Sequence, residues 1–127
     1  MTKTIALLGE QAANTLETLR FGVIKAGTNF ILANGTARTD VNTALTIGLQ
    51  RKATNSLKRQ NAQRHTTMVG ASPKYATEPV APAYIGLCHV DLETTIRGFA
   101  GFVPVEKYGD AMAALPGEIG KVEDVRA

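Results

Sequence analysis

The amino-acid sequence predicts an α+β fold: a meander of six or seven antiparallel strands over about residues 3–97, followed by one or two helices within about 103–126. Residues 38–53 and 84–97 support the sheet, because apolar and polar side chains alternate there as in a half-buried strand. Beyond residue 103, Val105, Tyr108, Met112 and Leu115 recur at helical spacing. The chain has 127 residues, so we expect one domain spanning 1–127.

Each predicted strand ends at a recognisable break. Residues 3–10 form a short apolar run that Gly9 stops, and residues 29–35 end at the turn pair Asn34–Gly35. Residues 15–23 fit a strand or a helix, although their threonines favour a strand. The alternation is clearest over 38–53 and weaker over 62–74. A polar loop over 54–61 and a proline-bearing loop over 75–83 complete the predicted connections.

The predicted C-terminal helix begins near Pro104 and ends at Pro116–Gly117, and residues 118–125 are a candidate second helix. A helix of about twelve residues is roughly 18 Å long and 10 Å wide. Six strands span nearly 29 Å at about 4.8 Å each. Because one such helix cannot cover the sheet, we expect an obligate dimer that exchanges helices, with Met112 and Leu115 packing on the partner's sheet.

The charge of the chain is unevenly distributed. The net charge is +3, and no acid lies between Asp40 and Glu78. Six of the fourteen basic residues lie in that interval: Arg51, Lys52, Lys58, Arg59, Arg64 and Lys74. This segment indicates either a polyanion partner or a solvated basic loop, and charge alone favours the loop.

Other functional classes find little support in the sequence. No apolar run is long enough to span a bilayer, and the N-terminal apolar run is too short for a signal peptide, so we expect a cytoplasmic protein without a membrane partner. Cys88 and His89 would point to opposite faces of a strand and could not form a nucleophile–base pair. His89, Asp91 and Glu93 would share one face, where solvation is a better explanation than a metal. We therefore expect no enzyme, metal or cofactor.

Three stretches carry a resemblance to the coat proteins of single-stranded RNA bacteriophages: "KTIALLGEQA" at 3–12, "LTIGLQR" at 45–51 and "VDLETTIRGFA" at 90–100. Their order, the proline-bearing loop and the "DAMAAL" segment are also similar to that family. The resemblance implies dimers with one continuous ten-stranded sheet, helices outside, and a polar inner face that touches RNA. It also implies assembly in a bacterial cytoplasm into an icosahedral shell, the capsid of the virion, and translational repression through an RNA hairpin.

The resemblance also assigns roles to individual residues. Inward-facing RNA contacts fall on Thr46, Gly48, Gln50, Thr67, Val69, His89 and Asp91. Phosphate neutralisation falls on Arg51, Lys52, Lys58, Arg59, Arg64 and Arg97. The dimer interface would contain Val90, Leu92, Tyr108, Met112 and Leu115, and the loop between dimers Tyr75, Pro79 and Pro82. Gln50, Val69 and Asp91 depart from the residues usual in one branch of the family. The alternative is a small α+β nucleic-acid-binding module that does not assemble.

Overall fold

The computed structural model describes residues 2–73 and 76–127, so Tyr75 lies outside the described residues. The chain divides into two compact units, residues 1–32 and residues 33–127. The predicted sheet meander is wrong. The structure instead has a long N-terminal helix, two further α-helices and a small mixed sheet of four short strands.

Helix α1 (Thr2–Lys25) replaces the predicted strand over 3–10 and includes residues 15–23, which fitted a strand or a helix and for which a strand was favoured. Ile5, Leu8, Leu16, Leu19 and Val23 fit the 3.6-residue period of a helix, which the two-strand interpretation overlooked. Gly9 and Gly22 lie inside the helix and do not end it. A glycine in a helix interior costs about 1 kcal/mol relative to alanine, which 24 hydrogen-bonded residues can absorb. Residues 29–35 form no strand either.

Helix α2 (Ile47–Arg59) replaces the clearest predicted strand. The Thr46 side chain caps it by accepting a hydrogen bond from Leu49 N at 3.4 Å. Its covered face runs through Ile47, Gln50 and Thr54, which are spaced as a helix requires. Because two of these three are polar, the apolar pattern did not mark this face, and the alternation over 38–53 misled the prediction.

The sheet contains β1 (Tyr84–Ile85), β2 (Phe102–Pro104), β3 (Gly120–Val122) and β4 (Val125–Arg126). Its strand order is β1-β4-β3-β2. Strands β1 and β4 are parallel, whereas the β4–β3 and β3–β2 pairs are antiparallel, with Phe102 opposite Val122. The sheet therefore joins residues from the middle of the chain to its C-terminal hairpin.

The predicted last strand, 84–97, survives only as β1. The chain then turns through a short 3-10 segment, Val90–Leu92, into helix α3 (Glu93–Arg97). His89 caps the 3-10 segment by accepting from Asp91 N. In α3, Arg97 Nε lies 2.8 Å from Glu93 Oε1, a helical i,i+4 pair that a strand would not form.

The predicted C-terminal helices are also wrong. Residues 105–107 and 111–113 form single 3-10 turns, and the candidate second helix is the β3–β4 hairpin. Gly109 packs against the backbone of residues 70–72, and Gly120 has a φ of 156° that favours glycine. Gly109 lies among the four apolar residues of the predicted helix, and its packing against residues 70–72 breaks their helical spacing. Pro116 and Gly120 lie after these four residues, in the region of the candidate second helix.

The core of the second unit is small. Val69, Val80 and Tyr108 form its buried centre, and Val103, Val105 and Ala113 pack around them. Val69 and Val80 form a reciprocal pair of backbone hydrogen bonds, Val69 N to Val80 O at 2.9 Å and Val80 N to Val69 O at 2.8 Å. Among the described residues, the other buried hydrophobic side chains are Ala83, Tyr84, Ile96 and Val122.

Candidate functional site

The basic segment lies against the acidic turn of the β3–β4 hairpin. Arg51 on α2 donates through Nε and Nη2 to the Glu123 carboxylate, at 2.9 Å and 2.5 Å. Lys58 pairs with Asp124, and Arg64 Nη2 lies 3.2 Å from the other oxygen of the same carboxylate. Gln50 Nε2 adds a hydrogen bond to Val122 O at 2.9 Å. We call this set of contacts the α2–hairpin clasp.

In the clasp, carboxylates of the same chain neutralise part of the positive charge that indicated a polyanion partner or a solvated loop. The hydrogen bond from Arg51 lowers the pKa of Glu123, and the hydrogen bond from Lys58 lowers the pKa of Asp124. Three of the predicted phosphate-binding residues, Arg51, Lys58 and Arg64, are therefore already paired with carboxylates. The sequence offered a signal for this pairing, since adjacent acids near the C-terminus complement a segment that lacks acids.

A second polar cluster is buried beneath the hairpin. Arg126 donates from Nε to Glu118 Oε1 and from Nη2 to Glu118 Oε2, both at 2.7 Å. Tyr108 Oη donates to Glu118 Oε1 at 2.6 Å, and Leu115 N donates to Glu118 Oε2 at 2.8 Å. Arg126 Nη2 also reaches Ala113 O at 2.7 Å. The side chains of Glu118 and Arg126 are 1% and 2% exposed, so this fork-shaped ion pair is shielded from water.

Burial and hydrogen bonding oppose each other at Glu118. Burial alone would raise the pKa of this carboxyl, but the donors on Arg126, Tyr108 and Leu115 outweigh burial and hold the pKa below its ordinary value. Burial and the hydrogen bond to Glu118 raise the pKa of the Tyr108 phenol. The buried polar side chains of Glu118, Arg126 and Tyr108 all form hydrogen bonds within the protein. The cluster is therefore a structural lock between the hairpin and residues 108–115.

The residues predicted to contact RNA do not share one face of a sheet. Thr46 and Gly48 lie at the start of α2 and are exposed, whereas Gln50 is engaged in the clasp. Thr67 is exposed, but Val69 is buried in the core. His89 Nδ1 lies 3.2 Å from Asp91 Oδ2, and both side chains are exposed on the segment before α3. The sheet face that united these positions does not exist, and RNA binding by the individual residues stays a prediction.

The residues predicted for the dimer interface are divided between core and surface. Tyr108 is buried inside the unit, Leu115 is partly buried, and Leu92 is exposed. Val90 and Met112 are 77% and 92% exposed. Pro79 is exposed and Pro82 is partly buried, in a loop whose described part, residues 76–83, contains only isolated bridges at Glu78 and Val80. The predicted exchange of helices between subunits has no structural support, because Met112 lies in a single 3-10 turn and Leu115 lies outside any helix.

Many large apolar side chains are exposed in the described part of the chain. In the first unit α1 has no buried residue, and its leucines, Ile5, Phe21, Val23 and Ile24 are all exposed. In the second unit the exposed set includes Met68, Ile85, Leu87, Val90 and Met112. Large apolar side chains that face water in such numbers are typical of surfaces that associate.

Potential ligand sites are sparse in the described part of the chain. An open groove of about 420 Å³ lies at the start of α2, lined by Ala33, Thr43, Ala44, Thr46, Gly48, Leu49 and Lys52. Residues 2–73 and 76–127 contain no group of three or more His, Cys, Asp or Glu side chains placed to hold a metal ion. Cys88 is a free, exposed thiol. No described helix combines the length and apolar character needed to cross a membrane.

Comparison with known proteins gives no assignment. No family model matches the chain, and no curated protein matches it significantly. The fold implied by the resemblance to RNA-phage coat proteins is wrong for this chain. Functional inference therefore depends on the surface and the two polar clusters.

We expect Asp124→Asn to lower the free energy of unfolding by about 1 kcal/mol, because it weakens two partly exposed ion pairs of the clasp, which are worth up to about 1 kcal/mol each. Urea unfolding at low and high salt would measure this loss, which should shrink as salt screens the wild-type pairs. Asp91→Asn is the matched control, since its exposed carboxylate contacts only His89 among the described ion pairs. Equal effects of the two variants would contradict the clasp.

Proposed function

We propose that this chain is a structural subunit that acts by self-assembly, as a coat or shell protein does. The observation that carries the proposal is the mismatch between a small core and an extensive exposed apolar surface. The second unit buries few large side chains, whereas the first unit buries none along a helix of 24 residues. Burying a large apolar side chain stabilises a protein by roughly 1.5–3 kcal/mol, and a side chain that stays in water does not contribute this free energy. Association with further copies recovers that free energy.

The clasp and the buried ion pair fit this role. They fix the C-terminal hairpin to α2 and to residues 108–115 through directional contacts rather than through a large core. A subunit held in this way can present apolar side chains outward and still keep a defined shape, because its polar groups have specific partners. Neither cluster presents an unpaired nucleophile or base, so we propose no catalytic role for them.

Binding of single-stranded RNA would have to compete with ion pairs inside the protein. Among the six basic residues predicted to neutralise phosphate, Lys52 and Arg59 take part in none of the ion pairs described above. Arg51, Lys58 and Arg64 are paired in the clasp, and Arg97 is paired with Glu93. Each phosphate contact by a paired residue would first have to break its existing ion pair. The same pairing disfavours the alternative of a small non-assembling nucleic-acid-binding module.

Electron microscopy of the purified chain tests the proposed form of the assembly. We expect uniform closed particles, because a coat subunit makes repeated identical contacts that close on themselves. The ratio of absorbance at 260 nm to that at 280 nm would report packaged nucleic acid, and we expect it to fall after a high-salt wash if phosphate contacts hold the RNA. Small, open or irregular oligomers would contradict the shell, and a constant low ratio would contradict RNA packaging.

A further inference from the structure

The apolar side chains of α1 form one continuous stripe. With a turn of about 100° per residue, Ile5, Leu8, Ala12, Leu16, Leu19 and Val23 fall within about 80° of the helix circumference. The five larger members of this set are all exposed. The stripe runs from the first turn to the last, whereas Leu7 and Phe21 lie on the opposite side of the helix. We call these six residues the α1 stripe.

The spacing of the α1 stripe is nearly the same when read in either direction. Reversing one helix against another places Ile5 opposite Val23, Leu8 opposite Leu19, and Ala12 opposite Leu16. A surface that is complementary to its own reversed copy meets the requirement of a two-fold interface, in which each residue contacts its counterpart reciprocally. We propose that α1 pairs with α1 of a second copy of this chain in antiparallel orientation. The inference deepens the proposed function and rests on it, since it names one contact of the assembly.

Residue size favours the antiparallel orientation over the parallel one. Antiparallel pairing sets the small Ala12 against the large Leu16, so the central layers have even volume. Parallel pairing would place Ala12 against Ala12 and leave a gap, and it would place Leu16 against Leu16 in a crowded layer. Both the gap and the crowding destabilise the contact. Antiparallel helices also place opposite ends of the two macrodipoles side by side.

The charges of α1 are compatible with this pairing. Lys3, Glu10 and Lys25 lie on the side opposite the stripe, where a partner helix would not approach. Arg20 borders one edge of the stripe and in the reversed copy would face the small residue Gly9. It pairs at 2.8 Å with Glu17, which lies further round the helix, away from the stripe. No like charges therefore oppose each other across the two-fold axis, and the small flanking Gly9 allows a close approach of the helices.

The area of the contact predicts its strength. Twenty-four residues make a helix of about 36 Å, and a strip about 10 Å wide gives roughly 360 Å² for each partner. A standard interface buries about 800 Å² for each partner, so the pair is small. We therefore expect dimerisation through α1 to be weak and concentration-dependent when it acts alone, and to become stable when further contacts of an assembly add to it.

Cysteine cross-linking in the full chain tests the orientation. In a Cys88→Ser background, Ile5→Cys and Val23→Cys variants would be oxidised separately and as a mixture in which one variant is isotope-labelled. Antiparallel pairing predicts disulfide dimers between the two variants in the mixture and few in either variant alone. Parallel pairing predicts the reverse, which would overturn the proposal, as would the absence of cross-links in a sample that still forms particles. The latter result would leave the proposed self-assembly intact.

Two neighbouring leucines give a matched test of the stripe. Leu8 and Leu7 are 59% and 60% exposed, but only Leu8 belongs to the α1 stripe. We expect Leu8→Asp to raise the dimer dissociation constant at least about tenfold in sedimentation equilibrium, because it places a charge in the contact, whereas Leu7→Asp changes it less than about twofold. Equal effects, or a larger effect of Leu7→Asp, would overturn the proposal. Helix content measured by circular dichroism would separate lost pairing from a lost helix.

Discussion

Replacing Glu118 with glutamine is expected to lower the free energy of unfolding by about 3–5 kcal/mol, the usual cost of removing one partner from a buried ion pair. The substitution keeps the shape of the side chain but removes its charge, which leaves the guanidinium of Arg126 uncompensated in a shielded site. It also replaces one carboxylate oxygen with an NH2 group. That group would face N–H or O–H donors on Arg126, Tyr108 or Leu115 and cannot accept their hydrogen bonds. Chemical denaturation monitored by circular dichroism measures the loss.

Glu93→Gln is the matched control for this prediction. Glu93 also pairs with an arginine, Arg97, at 2.8 Å, but both side chains are about 40% exposed. An exposed i,i+4 pair is worth about 0.3–0.5 kcal/mol, so we expect the control to lose no more than that. If Glu118→Gln were as mild as Glu93→Gln, the buried cluster could not be a structural lock.

The same cluster gives stability a defined dependence on pH. The pKa of Glu118 is lowered in the folded chain, so its contribution is fully present above the ordinary carboxyl pKa of about 4.3 and disappears as the pH falls through the lowered value. The raised pKa of Tyr108 acts at the other end, where stability begins to fall as the pH rises past about 10. Glu118→Gln should remove the part of the acid-dependent loss of stability that this carboxyl causes as the pH falls below its ordinary pKa.

Replacing Gly109 with alanine is expected to cost about 1–3 kcal/mol, the range for forcing an extra methyl group into a packed site. A Cβ at this position would overlap the carbonyl oxygen of Gly70 and lie 2.8 Å from Ser72 N. Both obstacles are backbone atoms, so no side chain can rotate away. Relief requires moving residues 70–72 next to Val69, a member of the core.

Gly70→Ala is the control from the other side of the same contact. A Cβ at Gly70 meets nothing within 4 Å, so this substitution should change stability by less than about 0.5 kcal/mol. Thermal unfolding of the two variants under identical conditions compares them directly. A Gly109→Ala variant as stable as Gly70→Ala would mean that the chain does not bring residues 109 and 70–72 together.

Local patterns predicted the fold poorly because competing periods were both present. In α1, each of two short runs fits a strand, and only Ile5, Leu8, Leu16, Leu19 and Val23 taken over the whole length reveal a helix. In α2 the covered face contains the polar residues Gln50 and Thr54. Gln50 donates a tertiary hydrogen bond to Val122 O and Thr54 donates to Arg51 O within the helix, and no hydropathy pattern records either bond. Over residues 105–115 the apolar side chains do have helical spacing, but the close packing of Gly109 against the backbone of residues 70–72 is incompatible with a helix there.

The polar clusters were hidden from the sequence for a different reason. The uneven charge pointed to Arg51, Lys58 and Arg64, but their partners Glu123 and Asp124 lie about sixty or more positions further along the chain. Glu118 and Arg126 lie eight residues apart on a hairpin that was predicted to be helical. What the sequence did indicate correctly is the location of the excess basic charge, although not what it binds.

Sedimentation velocity of the purified full chain in native buffer at several concentrations tests the proposed self-assembly most directly. We expect little protein at the monomer mass of 13.5 kDa and a population of larger species that grows with concentration, because association buries exposed apolar side chains. A single monodisperse species at the monomer mass across the whole range would contradict self-assembly, and with it the pairing of α1.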